Sequence, residues 1–122
     1  MRQLYVMSEP PNSNFTQNYL IGMLSEDNGK YSFQYSFKND FPLSFLKIQE
    51  FPEVGKTYGD TETRRFVSRI IPPENYEFIN LTLETANLTE YDEWELLKHY
   101  GQSAEGNAFL YAELPKGAIC RE

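Results

Sequence analysis

The stretch that decides the fold is YLIGMLSEDNGKYSFQYSF, residues 19–37. Every second residue from Tyr31 to Phe37 is aromatic and the residues between them are polar, which is the period of a strand with one face in the core. Tyr19–Leu24 is a second apolar run, and the Asn28-Gly29 pair between the two runs tolerates the positive φ of a type I′ turn. The stretch therefore predicts an antiparallel β-hairpin.

Shorter apolar runs on both sides predict further strands. They lie at Leu4–Met7, at Leu43–Ile48 and at Asn107–Leu114. Residues 8–18 are polar and contain two prolines, which indicates a loop. We expect residues 116–122 to form a loose tail, as chain ends commonly do.

The second half of the chain changes to a helical period. Glu62–Ile71 carries an apolar stripe and predicts a helix that Asp60 or Thr61 would cap. A second helix is predicted from Pro73 or Glu74 to Leu83, since proline is tolerated in a first helical turn.

A third helix is predicted at Thr89–Tyr100. Acidic residues crowd its start, Lys98 and His99 lie in its last turn, and Gly101 follows as the expected stop. The predicted fold class is α+β: a small, mostly antiparallel sheet or partial barrel with about three helices packed on one side.

Length and composition predict one domain over residues 1–122, because 122 residues suffice for one core. No run approaches the ~18 apolar residues that span a bilayer, and the apolar start is too short for a signal-peptide core. The single cysteine, Cys120, cannot form an internal disulfide or supply a zinc site alone. We expect a cytoplasmic protein without metal or cofactor.

The net charge of −7 is concentrated in one segment. Residues 70–97 contain seven acidic residues and no Lys or Arg, whereas the remaining 11 acidic and 11 basic residues balance. An acidic surface repels phosphate backbones, so direct nucleic-acid binding is not expected. The segment suits a basic protein partner, or it serves only to keep the protein in solution.

Three motifs in a fixed order carry a family resemblance. Ile21–Leu24 leads into Gly29–Tyr35, Phe66–Glu74 follows, and Glu95–Gly101 precedes the last strand. This order resembles the small N-terminal subdomain of HipA-type serine/threonine kinase toxins, over residues 19–114. The proline element departs from the family pattern, since "I-I-P-P" stands in place of "L-L-P-E".

The resemblance implies a binding function, because the kinase that normally follows this subdomain is not in the chain. A stand-alone copy resembles the small subunit that restrains a separate kinase, so the implied role is an antitoxin-like or regulatory partner of a HipA-type kinase. Residues 1–18 have no counterpart in the pattern and form an N-terminal strand and loop extension.

The sequence offers one stiff corner as a partner site. Tyrosine is a common anchor in interfaces, and two prolines lower the ordering cost of presenting one. The alternative is an ordinary turn between helices with the tyrosine packed on the core. The candidate partner-binding residues are Arg69, Ile71, Pro72, Pro73, Glu74 and Tyr76.

Three arginines form a second candidate site. Arg64, Arg65 and Arg69 lie close together on the first predicted helix, and the planar guanidinium binds carboxylate or phosphate in a bidentate manner. They are therefore a possible anion-binding group, or a solvated face paired with nearby acids.

Catalytic patterns are poor in this sequence. His99 is the only histidine, and its place in a last helical turn suits the terminal carbonyls of that helix. No glycine-rich phosphate loop with a lysine-serine ending occurs, so we expect a protein that is not an enzyme. Two other functions stay open: a small β-barrel that binds nucleic acid, and an acidic phage or mobile-element inhibitor that covers a basic protein surface.

Overall fold

The protein is an open β-sheet with two helices packed against one of its faces, and the core lies between them. The computed structural model describes residues 1–8, 19–36, 48–101, 109–113 and 119–120. The order across the sheet is β4-β3-β2-β1-β5 with antiparallel neighbours, and β6 pairs in parallel with β2. The predicted α+β class is confirmed.

The described strands are β1 Arg2–Ser8, β2 Tyr19–Asp27, β3 Lys30–Tyr35, β4 Thr57–Tyr58, β5 Phe109–Tyr111 and β6 Ile119–Cys120. The described helices are α1 Asp60–Ile70, α2 Ile79–Thr85 and α3 Glu93–Tyr100.

The predicted hairpin is present, with Asp27 opposite Lys30 across a two-residue loop. Asn28 has φ 52° and Gly29 has φ 81°, the two positive values that a type I′ turn requires. Local turn chemistry and alternating polarity therefore fix the register of β2 against β3.

The ring of Phe33 occupies the space that Gly22 leaves empty on the neighbouring strand. A Cβ atom at position 22 would lie 2.5 Å from the ring and 2.7 Å from the carbonyl oxygen of Gln34. Phe33 also stacks on Phe51, with ring centroids 4.2 Å apart and planes 8° apart, and its centroid lies 4.9 Å from that of the nearly perpendicular ring of Tyr35. This aromatic cluster is the centre of the core.

Two tyrosine hydroxyls hold the connection between β3 and α1 against the sheet. The hydroxyl of Tyr35 donates to the carbonyl oxygen of Phe51 at 2.6 Å and accepts from the N–H of Ile48 at 2.9 Å. The hydroxyl of Tyr58 accepts from the N–H of Glu53 at 2.7 Å. Buried backbone groups that have no strand partner are thereby satisfied.

Strand β1 is an inner strand of the sheet, between β2 and β5. Its register against β2 shifts between Val6 and Met7, which marks a β-bulge. The predicted N-terminal strand is therefore confirmed and belongs to the sheet itself. Of the loop predicted over 8–18, Ser8 is the last residue of β1, and residues 9–18 lie outside the described residues.

Helix α1 begins at Asp60, two residues before the predicted start, and the prediction that Asp60 or Thr61 caps it is wrong. Gly59 is the N-cap and makes no side-chain capping bond. The carboxylate of Asp60 instead accepts from the N–H of Tyr31 at 2.8 Å and from Arg64 at 2.8 Å. Asp60 therefore ties the helix to the edge of β3.

Helix α2 begins at Ile79, later than the predicted start at Pro73 or Glu74. The N–H of Tyr76 donates to the carbonyl oxygen of Pro73, and that of Ile79 donates to Tyr76, so two tight turns replace the first helical turns. The helix ends at Thr85 with Ala86 as its C-cap, and Asn87, the next residue, has the left-handed φ of 59° that commonly follows a helix end.

Helix α3 is shorter than predicted because Asp92 caps it, accepting from the N–H groups of Trp94 and Glu95. Gly101 follows the helix as expected and is its C-cap, with a right-handed φ of −64°. A Cβ atom there would lie 2.6 Å from the side chain of Leu110. The glycine thus allows α3 to approach β5.

Some predicted elements fall outside the described residues. Of the predicted strand Leu43–Ile48 only Ile48 is described, and it is buried. In the expected loose tail, Ile119 and Cys120 pair with Tyr19 and Leu20. Within the described ranges, no helix is long and apolar enough to cross a membrane.

The contact between Gly22 and Phe33 predicts a specific sensitivity. Gly22→Ala should lower the free energy of unfolding by about 1–3 kcal/mol, because the methyl group meets a ring and a backbone oxygen. Ser68→Ala is the control, because Ser68 is exposed on α1, and it should stay within about 0.5 kcal/mol of wild type. Urea titrations of both variants measure the difference. Equal stabilities would contradict the packing described for Phe33.

Candidate partner-binding surface

The corner between α1 and α2 is held by hydrogen bonds to its backbone carbonyl groups. The hydroxyl of Tyr91 donates to the carbonyl oxygen of Pro72 at 2.8 Å. The turn bond from Tyr76 to Pro73 is 3.0 Å long, and the two prolines restrict φ. The corner is therefore rigid without help from a partner.

Three large apolar side chains project outward from this corner and from α2. Tyr76 is 42% exposed, Phe78 is 56% exposed and Leu81 is 63% exposed. The rings of Tyr76 and Phe78 contact each other edge to face, with centroids 5.8 Å apart. These three residues are called the outer ridge. Tyr76 is thus on the surface and not packed on the core.

Helix α2 contributes no fully buried residue. Its inner side touches the core through the partly buried Leu83, followed by Ala86 and Leu88, and Tyr100 donates its hydroxyl to the carbonyl oxygen of Thr82 at 2.9 Å. The helix is attached along one side only, which leaves the outer ridge facing away from the domain.

The outer ridge is bordered by acidic residues. Glu74, Glu77 and Glu84 are all exposed, and the segment 70–97 has no basic residue. In the part of the chain that the structure describes, none of these three carboxylates forms an ion pair. The surface around the ridge is therefore negative.

The other residues of the predicted partner site have different surroundings. Ile71 is 4% exposed and lies in the core cluster, so it anchors the corner from the inside. Arg69 makes a bidentate pair with Glu50, at 2.5 and 2.7 Å, and its guanidinium lies over the ring of Phe66. Pro73 is exposed.

The three arginines predicted to bind an anion point to different places. Arg64 pairs with Asp60, donates to the carbonyl oxygen of Gly29, and lies 5.0 Å from the ring centre of Tyr31. Arg69 is held by Glu50, as described above, and Arg65 is exposed. The fold does not gather them into one site, and anion binding stays a prediction.

A cleft that the sequence did not indicate lies between the hairpin tip and the start of α3. Its volume is about 590 Å³, and Pro73 and Glu74 form the wall next to the corner. Arg2 pairs with Glu26 inside it and lies 5.0 Å from the ring centre of Trp94. The remaining lining residues are Gly29, Tyr31, Tyr91, Asp92 and Glu93.

Two carboxylates, Glu26 in the cleft and Asp60 close to it, have pKa values below the ordinary ones. The N–H of Gly29 and then Arg2 lower the pKa of Glu26, and the N–H of Tyr31 and then Arg64 lower the pKa of Asp60. Burial, followed by the charge of Glu93, raises the pKa of Tyr31. These shifts favour a fixed network of ion pairs, in which Tyr31 stays neutral and donates to Glu93 at 3.1 Å.

Metal chemistry finds no support in the described ranges, where no group of three or more His, Cys, Asp or Glu residues could hold a metal ion. His99 is exposed and contacts the ring of Tyr100 edge to face, with centroids 4.6 Å apart. The described polar groups thus point to structural ion pairs and to an exposed surface.

Comparison with known proteins decides the family. The sequence matches the HipA N-terminal domain over residues 15–108, which is more than half of the 122 residues. The chain belongs to the HipA N-terminal domain family. The predicted resemblance over residues 19–114 is thereby confirmed. No curated protein and no solved structure matches the chain.

The family match includes the corner and the outer ridge, whereas β1 and β5 lie outside it. Those two strands pair with each other in the sheet. This HipA N-terminal domain therefore completes its sheet with residues beyond the matched region.

The ion pairs around the cleft predict a loss of stability in acid. Glutamate and aspartate have ordinary pKa values of 4.5 and 3.8, and the folded protein lowers the pKa of Glu26 and Asp60. Their contribution is complete above those values and is lost as the pH falls through the lower folded pKa values.

Urea titrations at pH 7 and at about pH 3 measure this loss. Glu26→Gln should show a smaller loss between the two pH values than wild type, because one linked group is gone. Glu113→Gln, at an exposed site, is the control and should resemble wild type. An acid response of Glu26→Gln equal to that of wild type would contradict the assignment.

Proposed function

We propose that this HipA N-terminal domain is a protein-binding module that acts as an antitoxin-like or regulatory partner of a HipA-type kinase. The observation that carries the proposal is the outer ridge, whose three apolar side chains are 42–63% exposed on a rigid corner. Large exposed apolar patches on a folded domain mark interaction sites. Family membership supports the kind of partner.

The corner is suited to binding because little has to be ordered on association. Its turns are already hydrogen-bonded, and Tyr91 holds the carbonyl group of Pro72. Immobilising a loop normally reduces affinity. Tyr76 can therefore serve as an anchor with only its own side chain to fix.

The sequence motifs also favour binding as the mode of action. The chain lacks a phosphate-binding glycine loop and a kinase catalytic loop. We therefore expect the domain to regulate its partner by covering a surface of it and not by chemistry of its own.

The proposal is tested with a HipA-type kinase core that is encoded in the same genome. This kinase core has no N-terminal subdomain of its own. We expect wild-type protein to bind it, and Tyr76→Ala to weaken binding more than tenfold, which corresponds to about 2 kcal/mol for a central aromatic anchor. Calorimetric titration measures the affinity, and thermal melting of free Tyr76→Ala should match wild type.

Phe33→Ala is the contrasting core variant. It should lower stability by ~3–5 kcal/mol because the stacked ring is removed. The proposal fails if the kinase core does not bind. The assignment of Tyr76 fails if Tyr76→Ala melts early and binds as well as wild type per folded molecule.

Negative charge leads to a second expectation, on nucleic acid. Near physiological salt we expect negligible binding to single- or double-stranded DNA, because Arg64 and Arg69 already pair with carboxylates and the acidic segment repels phosphate. Fluorescence anisotropy with labelled oligonucleotides measures it. Sub-micromolar affinity at that salt would promote the nucleic-acid alternative.

A further inference from the structure

The outer ridge extends well beyond the corner that the sequence indicated. We propose that it docks on a partner protein whose surface is apolar at the centre and lined with Lys and Arg at the rim. This inference rests on the proposed function in taking the partner to be a protein, but it does not require that the partner be a kinase.

The apolar part of the argument rests on helix α2. Leu81 is 63% exposed, although the neighbouring Leu83 turns inward and packs partly against the core. Tyr76 and Phe78 come directly before α2 and Leu81 lies in its first turn, and the rings of Tyr76 and Phe78 contact each other. The three exposed side chains within residues 76–81 form one apolar strip.

The charges beside the strip specify the partner's rim. Glu84 follows Leu81 by three residues in α2, which places it on the same side of the helix, and Glu77 lies between Tyr76 and Phe78 in the chain. Neither is paired with a base among the described residues. A basic rim on the partner would be complementary to them.

The same charges disfavour two other occupants. A second copy of this chain, docked through the same ridge, would place acidic residues against acidic residues, which is repulsive across an interface. An anionic membrane surface repels them as well. Charge complementarity therefore selects a basic protein surface.

The test uses two designed amphipathic helical peptides as probes, one with a leucine face bordered by lysine and one with the same leucine face bordered by glutamate. We expect wild-type protein to bind the lysine peptide at least tenfold more tightly than the glutamate peptide. The double variant Phe78→Ala/Leu81→Ala should lose at least tenfold in affinity for the lysine peptide. Its circular dichroism and melting temperature should match wild type, because both residues are exposed.

Charge is tested with Glu77→Lys/Glu84→Lys. This variant should bind the lysine peptide about tenfold more weakly than wild type at low salt, and the difference should shrink at high salt because salt screens the charges. The control Glu53→Lys/Glu113→Lys makes the same net change at exposed sites away from α2 and should bind like wild type. If the control loses as much affinity, binding follows net charge and the inference is wrong.

Two further outcomes separate this inference from the proposed function. Lysine-peptide binding that both ridge variants leave unchanged, together with binding of the kinase core, would overturn the inference and leave the proposed function standing. Peptide binding that depends on the ridge, without any binding of the kinase core, would overturn the proposed function and leave this inference standing. A dimer in analytical ultracentrifugation that Phe78→Ala/Leu81→Ala dissociates would show a second copy as the occupant, and would also overturn the inference.

Discussion

The packing of Phe33 into the space beside Gly22 is the contact on which the rest of this domain depends. It joins β2 to β3 through the core and places the ring flat against Phe51. Phe51 in turn contacts Tyr58 and Phe66, so the position of α1 follows from that of the hairpin. The corner and the outer ridge begin where α1 ends, and their placement is inherited from this aromatic cluster.

The hairpin could be predicted from sequence because its determinants are local. Alternating polarity and the Asn28-Gly29 pair act within a few residues. The cap of α1 could not be predicted, since Asp60 bonds to Tyr31 on a strand 29 residues away. The position of Gly101 after α3 was predicted correctly, but its packing role was not, because the residue that requires a glycine there is Leu110 on β5.

The site was predictable only in part. Two consecutive prolines identify the corner, and with it Tyr76. The rest of the ridge could not be predicted because five of the eight residues 76–83 are apolar and fit neither one helical face nor a strict alternation, which leaves the outward face undecided. Only the observed start of α2 at Ile79 and its attachment through Leu83 show that Phe78 and Leu81 face away from the core.

The ion pairs show where the negative charge of the chain is neutralised and where it is not. Around the cleft, Glu26, Asp60 and Glu93 are each near a guanidinium of Arg2 or Arg64. The basic residues near the hairpin tip thus neutralise acids that the fold brings together. The acids beside the outer ridge have no such partner among the described residues. Solubility alone does not require charges of one sign to collect beside three exposed apolar side chains. Their position there supports complementarity to a basic surface as the reason for the imbalance.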